Sequence, residues 1–281
     1  MKYPLLLIAS LYLLFQQPAS AQNSRLRTLE QELLAEGRAL YVSESASWVA
    51  TDLFLAKKPD MTSFTGYITY SDGDSLRTLF MYRDADSKAL TIPYAFNFHR
   101  TAIRPEAARQ SAARPASVRE QRLFAIRERV EEELATHQVA GTSYRFPENT
   151  RPNIVLLENA KGVRAYVLVG PQTAGVLPIG NDFLLSFDTG GKLRTVERLH
   201  NSYLAMSPPE NTERIEAGMH SHLPAHPYIT PTDICSLLLY QDAFPAPQHI
   251  VMGREYVSIF DIQKQQLLLL TKKAFDKIYK K

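Results

Sequence analysis

The chain of 281 residues has a single cysteine, Cys235. An intramolecular disulfide needs two thiols and a cysteine-rich zinc site needs more, so both are excluded. There is little excess of charge of either sign: 32 Lys and Arg against 29 Asp and Glu give a formal net charge of +3. That balance offers no argument for a nucleic-acid partner or a polybasic membrane surface. A Gly-x-Ser-x-Gly elbow, the mark of many serine hydrolases, is missing. The stretch Gly170-Pro-Gln-Thr-Ala-Gly175 lacks the Lys-Ser/Thr ending of a phosphate-binding loop. Apolar runs of membrane-spanning length are missing as well. What is present is ordinary globular composition, 45% hydrophobic and 22% charged, in a length that suits one large domain or two small ones.

One short apolar run stands at the start. Lys2, then Leu5 to Phe15, then Ala19-Ser20-Ala21 follow the basic, apolar and small-residue order of a secretory signal peptide. Residues 1–21 are therefore expected to be an address, leaving Gln22 to Lys281 as the working chain. The protein is expected in the periplasm or outside the cell, with no stable membrane insertion after cleavage. A lone thiol in such an oxidising compartment is expected to be buried.

The periodicities after residue 21 predict an α+β protein, with mixed or antiparallel sheet and flanking helices. Ser24 can cap a helix through Leu26, Leu29, Leu33 and Leu34 that stops near Gly37. Trp48, Val49, Leu53 and Leu55, then Tyr67, Ile68 and Tyr70, then Leu79, Met81 and Tyr82, read as strand clusters. Ser71-Asp72-Gly73-Asp74 is a turn between two of them. A helix is expected over Ser117 to Thr136, after the break at Pro115. Strands return at Asn153 to Leu157, Ala165 to Val169 and Asp182 to Phe187, and Asp188-Thr-Gly-Gly191 leads into Leu193 to Leu199. The last third reads as strand, helix, then strand, with Ile250 to Ile262 as two β segments and a lysine-rich C-terminal helix. The expected division is a smaller N-terminal sheet-plus-helix lobe over 22–137, of unassigned role, and a second lobe over 138–281.

Five of the seven histidines lie between His200 and His249. Two of them, His220 and His222, are one residue apart, and on a strand such residues project to the same face, where two imidazoles can take one metal ion. Seven residues later comes Thr230-Pro231-Thr232-Asp233, just before the apolar run Ile234 to Tyr240. That order is a helix start, with Thr230 as N-cap, Pro231 as first residue and Asp233 closing a capping-box arrangement. Capping alone accounts for Thr230 and Asp233. The His-x-His beside them adds the second reading, a metal site. His200 and His249 stand isolated in the sequence, and His226 reads as a solvated loop residue.

His220-x-His222, seven residues, then Thr230-x-x-Asp233 resembles the JAMM (MPN+/JAB) metalloprotease family, whose pattern is His-x-His, seven residues, then Ser-x-x-Asp. The resemblance covers about residues 150–265 and implies a JAB/MPN-like lobe with zinc held by His220, His222 and Asp233. It implies that Thr230 stands for the serine that helps hold the reacting oxygen, and that a glutamate activates the bound water. Val163 falls where that glutamate is expected, so Glu158 is the candidate base and Glu197 the second. Three protein ligands with one open position is what zinc-assisted hydrolysis requires. The resemblance thus implies a secreted zinc-dependent hydrolase of peptide, isopeptide or related amide bonds, with a peptide or protein substrate. The other class left open is a non-catalytic secreted binding or structural module on the same fold.

Overall fold

The computed structural model describes residues 24–136, 144–208 and 214–279. The expected signal segment, 1–21, lies outside the described residues. The fold is mixed α+β with several open, mainly antiparallel sheets. Its chain forms two compact units, a larger one of Glu36–Asn211 with Thr230–Pro245, and a smaller one of Met1–Ala35, Thr212–Ile229 and Ala246–Lys281.

In the larger unit, helix α1 (Ser24–Ala56) contributes its residues from Glu36 onward. Three strands, β1 (Phe64–Asp72), β2 (Ser75–Arg83) and β3 (Leu90–His99), form an antiparallel meander. A 3-10 turn (Pro105–Ala107) and two short strands, β4 (Arg109–Gln110) and β5 (Arg114–Pro115), extend that sheet on the β3 side. Helix α2 (Val118–Thr136) follows. Strands β6 (Thr150–Asn159), β7 (Gly162–Pro171), β9 (Phe183–Phe187) and β10 (Leu193–Arg198) make a second sheet in the order β10-β9-β7-β6. Between them β8 (Leu177–Gly180) pairs with β11 (Tyr203–Met206). The unit closes with α3 (Pro231–Leu239).

Apolar side chains from both sheets and α2 meet in one core that includes Ile68, Leu79, Phe124, Ile154, Val167 and Phe183. This core draws on residues from both sides of the division expected at 137/138, which itself falls outside the described residues. A second cluster packs Ala46, Ala50 and Phe54 of α1 against Leu76, Phe80, Phe96 and Phe98. Phe54 stacks on Phe80 at 4.0 Å between ring centroids.

That packing corrects the reading of the N-terminal third. The helix does not stop near Gly37, and Trp48, Val49, Leu53 and Leu55 are helical rather than strand residues. The buried set Ala46, Ala50 and Phe54 repeats every four residues, a helical period that the bulkier neighbours obscure. Gly37 is a contact glycine. A Cβ there would lie 2.6 Å from Cβ of Ile234, so the small residue lets helix and helix approach closely. The hairpin of β1 and β2, the helix over 118–136 and the strands of 150–198 agree with the periodicities.

The smaller unit is a four-stranded sheet in the order β12 (Gly218–Ser221), β13 (Gln248–Met252), β14 (Tyr256–Asp261) and β15 (Gln266–Thr271), followed by helix α4 (Lys272–Tyr279). β12 pairs parallel with β13, and the other pairs are antiparallel. One face of the sheet carries Ile250, Val257, Ile259, Leu268 and Leu270, packed with Phe275 and Tyr279 of α4. The alternation of strand side chains sends His220, His249 and Val251 to the opposite face. Among the described residues no helix is long and apolar enough to cross a membrane.

Candidate metal centre

The smaller unit holds a chain of imidazoles. His220 is on β12, and its parallel register sets Gly218 against His249 and His220 against Val251. Gly218 brings no side chain, so the ring of His220 can turn back over β13 and meet His249. Nδ1 of His220 lies 2.7 Å from Nε2 of the fully buried His249. Nε2 of His220 lies 2.9 Å from Nε2 of His222. The backbone N–H of His222 donates to Met252 O at 3.0 Å, anchoring the residue just past the strand end.

The other nitrogen of His222 decides its chemistry. Nδ1 lies 2.7 Å from the carbonyl oxygen of Tyr228 and 3.0 Å from that of His226. Carbonyl oxygens only accept, so Nδ1 carries the proton. In the neutral ring Nε2 is then left with its lone pair, the form in which imidazole binds a metal. The loop 223–228 thus supplies backbone acceptors that fix the tautomer of His222. His226 contributes its carbonyl to that arrangement.

The larger unit holds a second cluster, built around a carboxylate. Thr230 caps α3 in a full capping box. Asp233 N donates to Thr230 Oγ1 at 3.2 Å, and Thr230 N donates to Asp233 Oδ2 at 2.8 Å. The Thr230 hydroxyl donates to the same Oδ2 at 2.8 Å and lies 2.8 Å from the Thr232 hydroxyl. The capping expected from the sequence is present, and the Thr230 proton is committed to Asp233.

Oδ1 of Asp233 lies 3.3 Å from Nε2 of His200, whose Nδ1 lies 2.6 Å from Oδ1 of Asp182. Burial opposes charge on this ring, but the carboxylates of Asp233 and Asp182 outweigh it and hold His200 protonated well above the ordinary histidine range. The turn that delivers Asp182 is unusual. Gly180 has φ +85°, and a Cβ there would meet Ser202 O at 2.3 Å and His200 Cβ at 3.1 Å. Asn181 follows with φ +54°, its side-chain amide donating to Arg145 O at 2.9 Å. Only a glycine fits the first position without displacing the backbone at Ser202.

In the sequence His200 stands isolated and Asp182 belongs to no motif. Their pairing depends on the return of the chain through β8 and β11, which leaves no local signal. His249, also isolated in the sequence, is the partner of His220. Cys235 is buried as expected, and burial raises its thiol pKa.

The candidate glutamates stand differently. Glu158, near the end of β6, is held in ion pairs with Arg119 at 2.7 Å and with Arg122, both from α2. Both of its oxygens are engaged by guanidinium groups. Glu197 is exposed on β10.

Within the smaller unit, His220 and His222 bring two imidazole nitrogens together at 2.9 Å, donors of the kind that bind a metal ion. Imidazole nitrogen is a ligand suited to zinc. Two nitrogens bound to one tetrahedral zinc at ~2.0–2.1 Å stand about 3.4 Å apart, about 0.5 Å more than the 2.9 Å between the two Nε2 atoms. Comparison of the chain with protein-family models, with curated proteins and with solved structures finds no match.

Proposed function

We propose that this chain is a secreted or periplasmic zinc-dependent hydrolase of the JAMM kind, with a JAB/MPN-like lobe, acting on peptide, isopeptide or related amide bonds. His220, His222 and Asp233 are the proposed ligands. The observation that carries the reading is the His222 ring. Its Nδ1 proton is taken by two carbonyls, which leaves Nε2 as a donor beside Nε2 of His220. The spacing from His-x-His to Thr-x-x-Asp adds the third ligand. The compartment rests on residues 1–21 of the sequence.

Zinc in such a site lowers the pKa of a bound water towards ~7 and polarises a carbonyl oxygen. The protein's own part is orientation. The capping box fixes Oδ2 of Asp233, and the charged ring of His200 faces Oδ1, so the carboxylate is held from both sides. His222 is kept in its donor tautomer by the 226 and 228 carbonyls.

A second reading, a non-catalytic module that keeps the metal, is favoured by one observation. Glu158 is tied to Arg119 and Arg122, which is the role of a structural ion pair rather than of a base.

The test is metal content followed by hydrolysis. The purified protein is expected to hold about one zinc per chain, and His222→Ala to lose it. A folded protein that contains no zinc and takes up none contradicts both readings. With zinc present, chelator-sensitive cleavage of a quenched isopeptide-linked peptide supports the enzyme. Zinc without cleavage supports the module. Glu158→Gln separates them further, because loss of cleavage with zinc retained assigns Glu158 as base.

A further inference from the structure

We propose that His249 is a positioning residue for this site, one that holds the ring of His220 and accepts a hydrogen bond from its Nδ1–H when the metal is bound. The inference rests on the zinc reading above but is carried by its own geometry. His249 is fully buried on β13, on the sheet face opposite the apolar cluster of Ile250, Val257 and Ile259. A histidine is an expensive choice for a fully buried strand position, where an aliphatic side chain packs at lower cost. Its Nε2 is 2.7 Å from Nδ1 of His220, a full hydrogen bond.

The proton count gives the role. A nitrogen bound to a metal carries no proton. With Nε2 of His220 on the ion, the neutral ring has its proton on Nδ1, and His249 Nε2 must accept it. Without the ion the chain runs the other way. In the neutral ring of His222 the proton is on Nδ1, so His220 Nε2–H donates to His222 Nε2, and His220 Nδ1 accepts from His249 Nε2–H. Between the two states His220 loses the proton on Nε2 and gains one on Nδ1. His249 does the same, losing the proton on Nε2 and gaining one on Nδ1. Each ring stays neutral and the total number of protons is unchanged. Ligating histidines usually give their second N–H to a carboxylate, a carbonyl or water. Here a second imidazole takes that place, and an imidazole can be acceptor in one state and donor in the other.

The parallel pairing of β12 with β13 makes this specific. Gly218 faces His249, and the absent side chain leaves room for the ring of His220 over it. His249 therefore acts at a distance from the ion, through His220, and is not a ligand itself.

Two variants test the proposal. His249→Leu keeps bulk and removes the acceptor, and His249→Gln puts an amide oxygen near the position of Nε2. Zinc affinity is measured by competition with a chromophoric chelator. His249→Leu is expected to weaken zinc roughly 10- to 100-fold, the usual loss when such an outer partner is removed. His249→Gln should recover most of that loss, and the cobalt-substituted protein should show the same order in its visible spectrum. Unchanged affinity in a folded His249→Leu overturns the proposal, as does a loss of affinity that Gln does not recover. If the unaltered protein binds no zinc, the metal reading fails, and the His249 inference is judged separately on the metal-free protein. The nitrogen resonances of His220 should then show Nδ1 in a hydrogen bond and Nε2 protonated. They should change in His249→Leu and return towards the original in His249→Gln. A His220 ring with no hydrogen bond at Nδ1 in the unaltered protein overturns the inference with no need for a folded variant.

Discussion

His222 in the smaller unit and His200 in the larger are both buried or nearly so, and their neighbours set them to different tasks. Around His222 stand carbonyl oxygens and another imidazole, and the carbonyls fix the proton of the neutral ring on Nδ1. Around His200 the partners are two carboxylates, which fix a proton on both nitrogens. The first arrangement makes a metal donor, and the second makes a cation that steadies carboxylates. An imidazole in a sequence is therefore a blank until its hydrogen-bond partners are known.

The strongest way to break this contrast is to take a carboxylate from His200. Asp182→Ala should destabilise the protein by about 3 kcal/mol or more, because it leaves a buried charge with half its compensation. Denaturant unfolding checks this. A loss below about 1 kcal/mol would mean that His200 is held by packing rather than by its charge.

The same contrast extends to buried carboxylates. Glu120 sits against Arg114 in a two-point contact and also accepts from Tyr70 and Ser117. Burial raises its pKa, but these partners overcome that and bring it down to about 2. Glu44 is equally enclosed and accepts from the indole N–H of Trp48 and the amide of Asn153, each at 3.1 Å. Burial there pushes the carboxyl up to about 7. A raised folded pKa means that the stability Glu44 allows is fully present below about 4.5 and is lost as pH rises through about 7. The whole change amounts to about 3 kcal/mol. Unfolding midpoints taken between these two pH values should fall for the native protein and stay flatter for Glu44→Gln. Equal slopes for both would remove Glu44 from the account.

Gly180→Ala should cost about 2 kcal/mol through strain at positive φ and through contact with Ser202 and His200. A crystal structure or an unfolding curve unchanged by the alanine would show that the turn has more room than the backbone suggests. The smallest effect expected is at Cys235. With its thiol buried, a disulfide reagent should react at a negligible rate in the native protein and quickly in denaturant. Fast native labelling would contradict that burial.

What the sequence revealed follows the range of the signals involved. The capping box of Thr230 and Asp233 spans four residues and was legible from residue type and order alone. The hairpins at Gly73 and at 188–191 were legible for the same reason. The pairing of His200 with Asp182 was not. It depends on β8 meeting β11, and on a glycine and an asparagine at positive φ that turn the chain between them. His249 was missed because its partner lies 29 residues earlier and meets it through a parallel strand pair. Gly37 has the look of a helix stop in the sequence and is a packing residue inside α1. Local chemistry reads forward from sequence, and contacts made by the fold do not.

The most direct test of the contrast is a long-range proton–nitrogen correlation spectrum of the histidine side chains, recorded on the metal-free protein at neutral pH. His222 should show a proton on Nδ1 and none on Nε2, and His200 should show protons on both nitrogens. A proton on Nε2 of His222, or a His200 ring protonated on one nitrogen only, would contradict the account.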